Sequence, residues 1–225
     1  MKQILDYQNI IQAHTTSEDG KRIYHFPNGI SYPSVTTVLS AVSDHSSLDE
    51  WRERVGHDEA EIISNRATER GTGMHSLIED FYNGKETISD NDVSMLLFKA
   101  LKATHLKKLK PIALELPVYS NQLKVAGRLD CVGYFDNKLS LVDFKSSTKP
   151  KKPEWIENYF IQCAMYAIAL EERTGIWCDN IVVLIGVEQG FPQKFIRKTN
   201  EFKEKAFDVS NRYYQQHDGT CQQGN

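Results

Sequence analysis

The stretch GRLDCVGYFDNKLSLVDFKSS, from Gly127 to Ser147, places two aspartates where strands usually carry apolar side chains. Apolar and polar residues alternate on both sides of a short turn at residues 136–138, and this pattern predicts two antiparallel strands. Asp130 lies in the first strand, and Asp143 lies in the second, two residues before Lys145. Side chains two residues apart share one face of a strand, so a closed hairpin would bring both carboxylates close to the lysine.

Two carboxylates at this spacing repel each other unless one is protonated or a cation lies between them. Hard divalent cations such as Mg²⁺ and Mn²⁺ are the usual bridge because they prefer oxygen ligands. An ammonium or amine beside the cation could help to hydrolyse a phosphodiester, by accepting a proton from water or by neutralising charge on phosphorus. The alternative is a surface ion pair on an edge strand, since an Asp-x-Lys tripeptide alone is a weak signal.

The neighbouring segments predict a mixed sheet with helices on its faces. Before the hairpin, residues 112–120 alternate like a further strand. After it, residues 155–173 predict a helix, residues 180–189 a buried strand, residues 193–199 another strand and residues 201–215 a final amphipathic helix. We therefore expect an α/β protein with a central mixed β-sheet flanked by helices.

The N-terminal part predicts several helices and one short β-branched stretch. Residues 31–40, SYPSVTTVLS, begin like a strand and continue like a helix. The serine and glutamate of SLDE, residues 47–50, predict a capping box at a helix start. The helical region that follows is expected to break or bend at RGTG, residues 70–73, and to end at residues 83–84, before another helix at residues 89–109.

Composition limits the function classes. The chain has 225 residues, 40% hydrophobic and 25% charged, which is enough for the core of one domain. No apolar run could cross a membrane, and the N-terminus lacks the features of a signal or transit peptide, so we expect a cytoplasmic protein, bacterial or phage-encoded. The net charge of −3 argues against nonspecific coating of nucleic acid, and the absence of a P-loop pattern leaves no basis for ATP hydrolysis.

Two stretches of the chain are rich in lysine although its net charge is negative. Residues 93–111 contain five lysines and no acidic residue, and Lys149, Lys151 and Lys152 follow the hairpin closely. Either stretch could be ordinary solvated surface. If the hairpin carries a nuclease site, we expect both stretches to line its approach and to contact DNA phosphates.

Four motifs resemble the RecB-like branch of the PD-(D/E)XK nucleases. They are GTGMHSLIE at residues 71–79, GRLD at 127–130, DFK at 143–145 and QCAMY at 162–166. SVTTVL near the N-terminus and DFKSSTKPKKP after the hairpin are further similar to the mitochondrial genome maintenance exonucleases and their microbial and phage relatives. The likeness covers the chain from Ser34 to Glu172 in outline.

The resemblance implies a single nuclease domain with a restriction-endonuclease-like core. The core would span residues 71–198. Residues 1–70 would form a helical elaboration beside the DNA groove, and residues 199–225 would form a C-terminal helix and tail.

The resemblance also implies a metal site. His75, Asp130 and Asp143 would bind Mg²⁺ or Mn²⁺ together with the main-chain carbonyl of Phe144. Glu79 would bind a second metal or order the ligands of the first. Relatives often carry an iron–sulfur cluster, but the four cysteines of this chain are too scattered for one and are expected to be reduced thiols.

The remaining matched positions would act on water and DNA. Lys145 would orient or activate the attacking water, and Gln162 and Tyr166 would hold the strand near the site. Thr36 could donate to a phosphate if its segment opens a helix at the groove, although hydroxyls at a helix start are usually caps.

Three function classes remain open on these grounds. The first is a metal-dependent DNA exonuclease that prefers single strands or strand ends, the second a flap or branch endonuclease of the same chemistry, and the third a non-catalytic DNA-end-binding module. A helicase, polymerase or single-strand-binding protein would be a separate partner. The tryptophans are expected to pack against the core rather than to stack on bases; they are Trp51, Trp155 and Trp177.

Overall fold

The structure of the protein is a computed structural model, which describes residues 1–218 as seven α-helices and eight strands. The elements of the N-terminal half are α1 (Lys2–Ile10), β1 (His14–Glu18), β2 (Lys21–His25), β3 (Ser31–Pro33), α2 (Val35–Val42), α3 (Ser46–Val55), α4 (His57–Tyr82) and α5 (Asp92–Thr104). Those of the C-terminal half are β4 (Leu109–Ser120), β5 (Val125–Phe135), β6 (Lys138–Ser147), α6 (Glu157–Thr174), β7 (Asn180–Val187), β8 (Gln193–Lys198) and α7 (Lys203–Asp218).

The central sheet has five strands in the order β4-β5-β6-β7-β8. The first three form an antiparallel meander, β7 runs parallel to β6, and β8 returns antiparallel to β7. A parallel neighbour requires a crossover connection, and α6 supplies it. The predicted mixed sheet flanked by helices is therefore confirmed.

Both faces of this sheet are covered. In β7, Ile181, Val183 and Ile185 pack in one apolar cluster with α1, α2, α6 and α7. Val182 and Leu184 pack in a second cluster with α4 and α5. Burial on both faces explains why the whole of β7 is apolar except its first residue and its glycine. It also means that a charged side chain in the middle of the sheet lies in a largely dry environment.

A second, three-stranded sheet precedes the central one, in the order β1-β2-β3. It joins the central sheet through a bridge between Ser34 and Ala126 and through an aromatic cluster that contains Tyr24, Phe26 and Tyr119. Residues 31–40 are a strand followed by a helix, as predicted. The expectation that residues 1–70 are helical was incomplete, because β1 and β2 were not predicted.

Helix α4 runs without interruption through RGTG, so the predicted break at residues 70–73 is wrong. The two glycines act in packing instead. A Cβ at Gly73 would lie 2.5 Å from Oγ of Ser94 in α5, and a Cβ at Gly71 would lie 3.4 Å from Oγ of Ser146 at the end of β6. The absence of a side chain at residue 73 lets α4 and α5 approach closely.

Two further local predictions need correction. No capping box forms at residues 47–50, because α3 already begins at Ser46, whose N–H donates to Oδ1 of Asp44 at 2.9 Å. The predicted helix at residues 89–109 is shorter, since Asn91 caps α5 and Leu109 already opens β4. The predicted helix end at residues 83–84 is confirmed, and Gly84 adopts the left-handed conformation there with φ 68°.

The tryptophans differ in their exposure. Trp177 packs partly against the larger apolar cluster, and Trp51 is half-buried in α3. Trp155 is 61% exposed, so the prediction that it packs against the core is wrong. It ends a short 3-10 turn, Pro153–Trp155, that holds it on the surface before α6 begins.

The described cysteines are buried and free: Cys131, Cys163 and Cys178. Burial raises the pKa of each of these thiols, so they remain protonated at neutral pH. Cys221 lies outside the described residues. Within residues 1–218, no helix combines the length and the apolar character that crossing a membrane requires.

Candidate active site

The two aspartates flank the point where β5 and β6 separate. The ladder between these strands ends with the pair Cys131 and Val142. Beyond it, the N–H of Phe144 donates to the side chain of Asp130, with a distance of 2.8 Å to Oδ2. A carboxylate thus replaces the backbone acceptor that a continued ladder would supply, and this opens a gap between the strands beside Asp143.

Asp143 and Lys145 form a buried ion pair on the face of β6 that is covered by α6. Nζ of Lys145 lies 2.6 Å from both carboxylate oxygens, and the amide of Gln162 donates to Oδ1 at 3.2 Å. Oδ2 is buried, and the ammonium of Lys145 is its ion-pair partner. An ion-paired carboxylate oxygen keeps a second lone pair, with which it can still coordinate a cation.

Burial and charge act in opposite directions on this pair. The pKa of Asp143 is raised to about 6, because burial and the charge of Asp130 together outweigh the opposing ammonium of Lys145. Burial lowers the pKa of Lys145, but Asp143 and Asp130 outweigh it, so the net shift is upward and the lysine stays charged. The site therefore holds an ammonium next to a carboxylate that ionises reluctantly.

His75 reaches the site from α4. Its Nε2 lies 2.8 Å from the carbonyl oxygen of Phe144, which can only accept, so Nε2 carries the proton. In the neutral imidazole with this tautomer, Nδ1 carries the lone pair and faces Oδ2 of Asp130 at 3.7 Å. Two lone pairs that face each other at this distance suit a cation between them.

A third carboxylate, that of Glu115, lies near His75 and Asp130, and the sequence motifs did not indicate it. Leu114 pairs with Cys131 and Leu116 pairs with Leu129, which places Glu115 opposite Asp130. One ligand atom each from His75, Glu115 and Asp130 lies within 4.8 Å of the others. The polar position of Glu115 in the otherwise alternating strand ALELPVYS was the available sequence signal.

The backbone and the carboxyl of Glu115 are both unusual. Its φ is +48°, in the left-handed region that non-glycine residues rarely adopt, and such strain is concentrated at functional sites. Burial, and after it the charge of Asp130, raise the pKa of Glu115 to about 7. A cation bound here would relieve the repulsion between these carboxylates.

These side chains fit a divalent cation. The donor set is one imidazole nitrogen and carboxylate oxygens, the ligands of a hard or borderline ion such as Mg²⁺ or Mn²⁺. Oδ2 of Asp143, which is ion-paired with Lys145, is a further potential oxygen donor near Asp130. Glu79, one helical turn after His75, lines the same cleft but lies outside the group of three.

The site lies in a cleft of about 910 Å³. It is lined by residues of the three-stranded sheet and the start of α2, by residues of α4, and by residues of β4, β5, β6 and α6. Two arginines that sequence reasoning did not single out lie here: Arg22 on β2 and Arg128 within the GRLD motif itself. The lining residues predicted from the sequence are Thr36, His75, Glu79, Asp130, Lys145, Gln162 and Tyr166.

Tyr166 lies against the GRLD motif from α6. A Cβ at Gly127 would lie 2.6 Å from Cε1 and 2.8 Å from the hydroxyl oxygen of Tyr166. The tyrosine is buried, with burial raising its pKa well above the usual range. Its position therefore depends on the absence of a side chain at residue 127.

The predicted basic residues do not line the cleft. Lys149 and Lys151 lie in a neighbouring groove with Tyr159, whose ring is 5.1 Å from Nζ of Lys145. Lys152 lies over the ring of Trp155. The lysines between residues 93 and 111 lie on or after α5, and none of them is among the cleft residues, so the expectation that this stretch lines the approach is wrong.

Comparison with known proteins gives a family match. A model described as the PD-(D/E)XK nuclease superfamily matches residues 92–205. The mitochondrial genome maintenance exonuclease 1 of Homo sapiens is 29% identical over 168 residues, which cover 67% of this chain and 48% of that protein. The protein of the same name from Xenopus tropicalis is 27% identical over 177 residues, which cover 71% and 50%. The chain thus spans about half the length of these relatives.

Among solved structures, a putative exonuclease from Eubacterium rectale is similar with a TM-score of 0.45 and 12% identity. The match covers 67% of this chain and 68% of that one.

Proposed function

Because the chain belongs to the PD-(D/E)XK nuclease superfamily, we propose that it is a metal-dependent DNA exonuclease that acts on single strands or strand ends. The relatives that it matches are named as exonucleases, which supports this choice over other nuclease activities. We propose further that the chain works as one nuclease domain, with residues 71–198 as its core. Its substrate would be supplied or protected by a separate helicase, polymerase or single-strand-binding protein.

The observation that carries the proposal is the buried pair of Asp143 and Lys145 beside Asp130. A buried ion pair contributes little to stability, because desolvation offsets the attraction between the charges. A second carboxylate next to it makes the arrangement less favourable still, as the raised pKa of Asp143 records. A protein that only needed a stable sheet would place apolar residues here, so the arrangement favours catalysis over a binding module that has lost its activity.

His75, Glu115, Asp130 and Asp143 would hold a Mg²⁺ or Mn²⁺ ion, with the carbonyl of Phe144 and the carboxylate of Glu79 close by. When bound, such an ion lowers the pKa of water and offsets the negative charge of a phosphodiester. The hydrogen bond from Nε2 of His75 to Phe144 fixes the tautomer that leaves Nδ1 free as a ligand.

The other side chains of the cleft would act on water and on the DNA strand. Lys145 would orient the attacking water and stabilise charge that develops on phosphorus. Gln162 would hold Asp143 in position through its amide, a contact that the structure describes. Arg22 and Arg128 would pair with phosphates on either side of the scissile bond.

A preference for single strands is part of the proposal. Residues of the three-stranded sheet and of α4 line the same cleft as Glu115 and Asp130. A flexible single strand can bend into such a cleft more readily than a stiff duplex. Thr36 at the start of α2 and the largely buried Tyr166 on α6, which both line the cleft, would then contact the strand.

The test uses oligonucleotides labelled at either end, as single strands and as blunt duplexes, with Mg²⁺, Mn²⁺ or a chelator. We expect cleavage of the single strand that requires metal and is abolished in Asp143→Asn. Asp136→Asn, on the exposed turn of the same hairpin, should remain active. Metal-independent cleavage, or full activity of Asp143→Asn, would contradict the site.

A closed circle of single-stranded DNA separates exonuclease from endonuclease activity. An exonuclease needs an end, so the circle should survive under conditions in which the linear strand is digested. Rapid cutting of the circle would replace the proposed activity by an endonuclease of the same chemistry. Binding to strand ends without any cleavage would leave only a DNA-end-binding module.

A further inference from the structure

Two aromatic side chains border the lysine loop, residues 148–152, and both are unusually exposed. Among residues 1–218, the exposed large aromatic side chains are Tyr134, Trp155 and Phe191. Trp155 is 61% exposed and Phe191 is 89% exposed. Single exposed apolar residues are common on protein surfaces, but the two most exposed aromatics beside one basic loop call for an explanation.

The lysine loop and the segment that carries Phe191 are joined by a network of hydrogen bonds. The amide of Gln193 pairs with both the N–H and the carbonyl of Lys151, at 2.7 and 2.9 Å. The N–H groups of Glu188 and Gln189 donate to the carbonyls of Ser147 and Thr148 at 2.9 Å. Phe191 is therefore presented by a fixed turn beside the lysine loop, rather than by a free loop.

The charge of this surface matches a polyanion. From Phe144 to Pro153 the chain contains four lysines and no acidic residue. Of the nearby acids, Glu188 is paired with Arg70 at 2.9 Å, and Glu157 is paired with Lys205. Glu154 is the remaining acid of the segment, and Lys152 lies over the Trp155 ring with its Nζ 5.1 Å from the centroid.

The surface is continuous with the candidate active site. Lys149 and Lys151 line a groove with Tyr159, and Tyr159 contacts the ammonium of Lys145 through its ring. Trp155 precedes Tyr159 by one helical turn in sequence. A strand that leaves Lys145 along this groove would pass the lysines and then reach the two exposed rings.

We propose that Trp155 and Phe191 form a base-stacking platform for the single strand outside the cleft, with Lys149, Lys151 and Lys152 contacting its phosphates. The inference rests on the proposed function for the identity of the ligand, single-stranded DNA. Stacking on aromatic rings together with lysines along the backbone is the usual means of binding single strands without regard to sequence. The platform would hold the substrate between successive cleavage events.

The test compares short and long strands in the presence of a chelator, so that the DNA stays intact. A strand of about four nucleotides fills little more than the cleft, whereas one of about twenty also reaches the platform. We expect Trp155→Ala/Phe191→Ala to weaken binding of the long strand by roughly tenfold or more and to leave the short strand unaffected. Trp155→Phe should retain most of the affinity, whereas Trp155→Leu should not, because leucine is apolar but has no ring.

Two controls make the result specific. Ile10→Ala removes a side chain that is 77% exposed, at the end of α1, and should not change binding of either strand. Trp155 is the most exposed of the three tryptophans, so the long strand should quench the intrinsic fluorescence of the wild type and quench Trp155→Phe far less. Both aromatic positions are on the surface, and unchanged thermal unfolding would show that the variants fold.

The outcomes separate the platform from the proposed activity. Unchanged binding of the long strand in the double variant, or equal weakening for both lengths, would overturn the platform even if the enzyme cuts DNA. A length-dependent loss and quenching by Trp155 would support the platform, and they would do so even if no cleavage were found and the exonuclease proposal failed.

Discussion

Tyr166 occupies the space that a side chain at Gly127 would need. The GRLD strand, β5, and the QCAMY helix, α6, can therefore pack this closely only because residue 127 is glycine. A Cβ at residue 127 would lie 2.6 Å from a ring carbon of Tyr166, closer than packed atoms tolerate. The third residue after the glycine is Asp130, and α6 also carries Gln162, which holds Asp143. The glycine therefore sets the distance between two elements that both contribute to the cleft.

The first prediction follows from this contact. Gly127→Ala should lower the free energy of unfolding by about 1–3 kcal/mol through overpacking. Tyr166→Leu in the same chain should recover part of that loss, because the smaller side chain makes room for the Cβ. Denaturant unfolding of the two single variants and the double variant measures the coupling. Strictly additive losses would show that the two residues do not compete.

The second prediction contrasts two glycines in α4. Gly71→Ala should be neutral or stabilising, by up to about 1 kcal/mol, because alanine favours a helix and its Cβ meets Ser146 at an ordinary distance. Gly73→Ala should be destabilising, because its Cβ would lie 2.5 Å from Oγ of Ser94. Thermal unfolding of both variants under identical conditions tests the pair. Equal effects would contradict the packing explanation for the uninterrupted helix.

The third prediction concerns Lys145. Lys145→Ala should lower the maximal rate of cleavage by roughly 10²-fold or more while affinity for DNA changes little. Lys145→Arg should not restore the rate, because the planar guanidinium is larger and cannot take the position of the compact ammonium. Steady-state kinetics with a labelled single strand would measure both effects. Lys138→Ala, at the exposed start of the same strand, is the matched control.

A loss of affinity alone in Lys145→Ala would make the lysine a phosphate contact rather than a catalytic group. Removing the lysine also leaves Asp143 without its buried partner, so the stability of the variant must be measured in parallel.

The fourth prediction is a pH dependence of the metal-free protein. The pKa of Glu115 rises from 4.5 to about 7 and that of Asp143 from 3.8 to about 6 on folding. At a pH between its unfolded and folded pKa values, each of these carboxyls keeps in the folded state a proton that it has released in the unfolded chain. The free energy of unfolding should therefore fall as the pH rises from about 4.5 to 7 in chelator.

In Glu115→Gln, the fall in the free energy of unfolding between about pH 4.5 and 7 should be smaller by on the order of 2 kcal/mol. The reason is that the variant has no partly buried carboxyl at residue 115 that must ionise in the folded state. Mg²⁺ added at pH 7 should stabilise the wild type more than the variant. Melting curves at several pH values would decide the matter, and an identical slope in both proteins would exclude the assigned role of Glu115.

The fifth prediction is a salt dependence of DNA binding. Replacing Lys149, Lys151 and Lys152 together by alanine should weaken binding of a single strand and lower the slope of log K against log salt by about 2, the value for three phosphate contacts. The metal requirement of cleavage should persist. The matched control replaces exposed lysines around α5, namely Lys99, Lys107 and Lys108, which should leave the slope unchanged. An equal reduction in both triple variants would indicate a general charge effect.

The sequence by itself determined the elements whose signals are local. The alternation around the hairpin predicted the meander, because side chains of a half-buried strand change face at every residue. The same rule is sufficient to place Asp143 and Lys145 on one face of their strand, because they are two residues apart. Strands β1 and β2 gave no such signal, since all residues of β1 are exposed and only Tyr24 of β2 is buried.

Tertiary structure decided which distant residues meet. Arg22, Glu115 and Arg128 lie in different strands, and no local pattern shows that they line the cleft of His75. The glycines of α4 could not be interpreted from the sequence for the same reason. The intrinsic propensity of glycine disfavours a helix, but the close packing of Gly73 against Ser94 of α5 outweighs this propensity. Trp155 faces solvent although its apolar character predicted burial. Its position in the 3-10 turn before α6 determines this exposure.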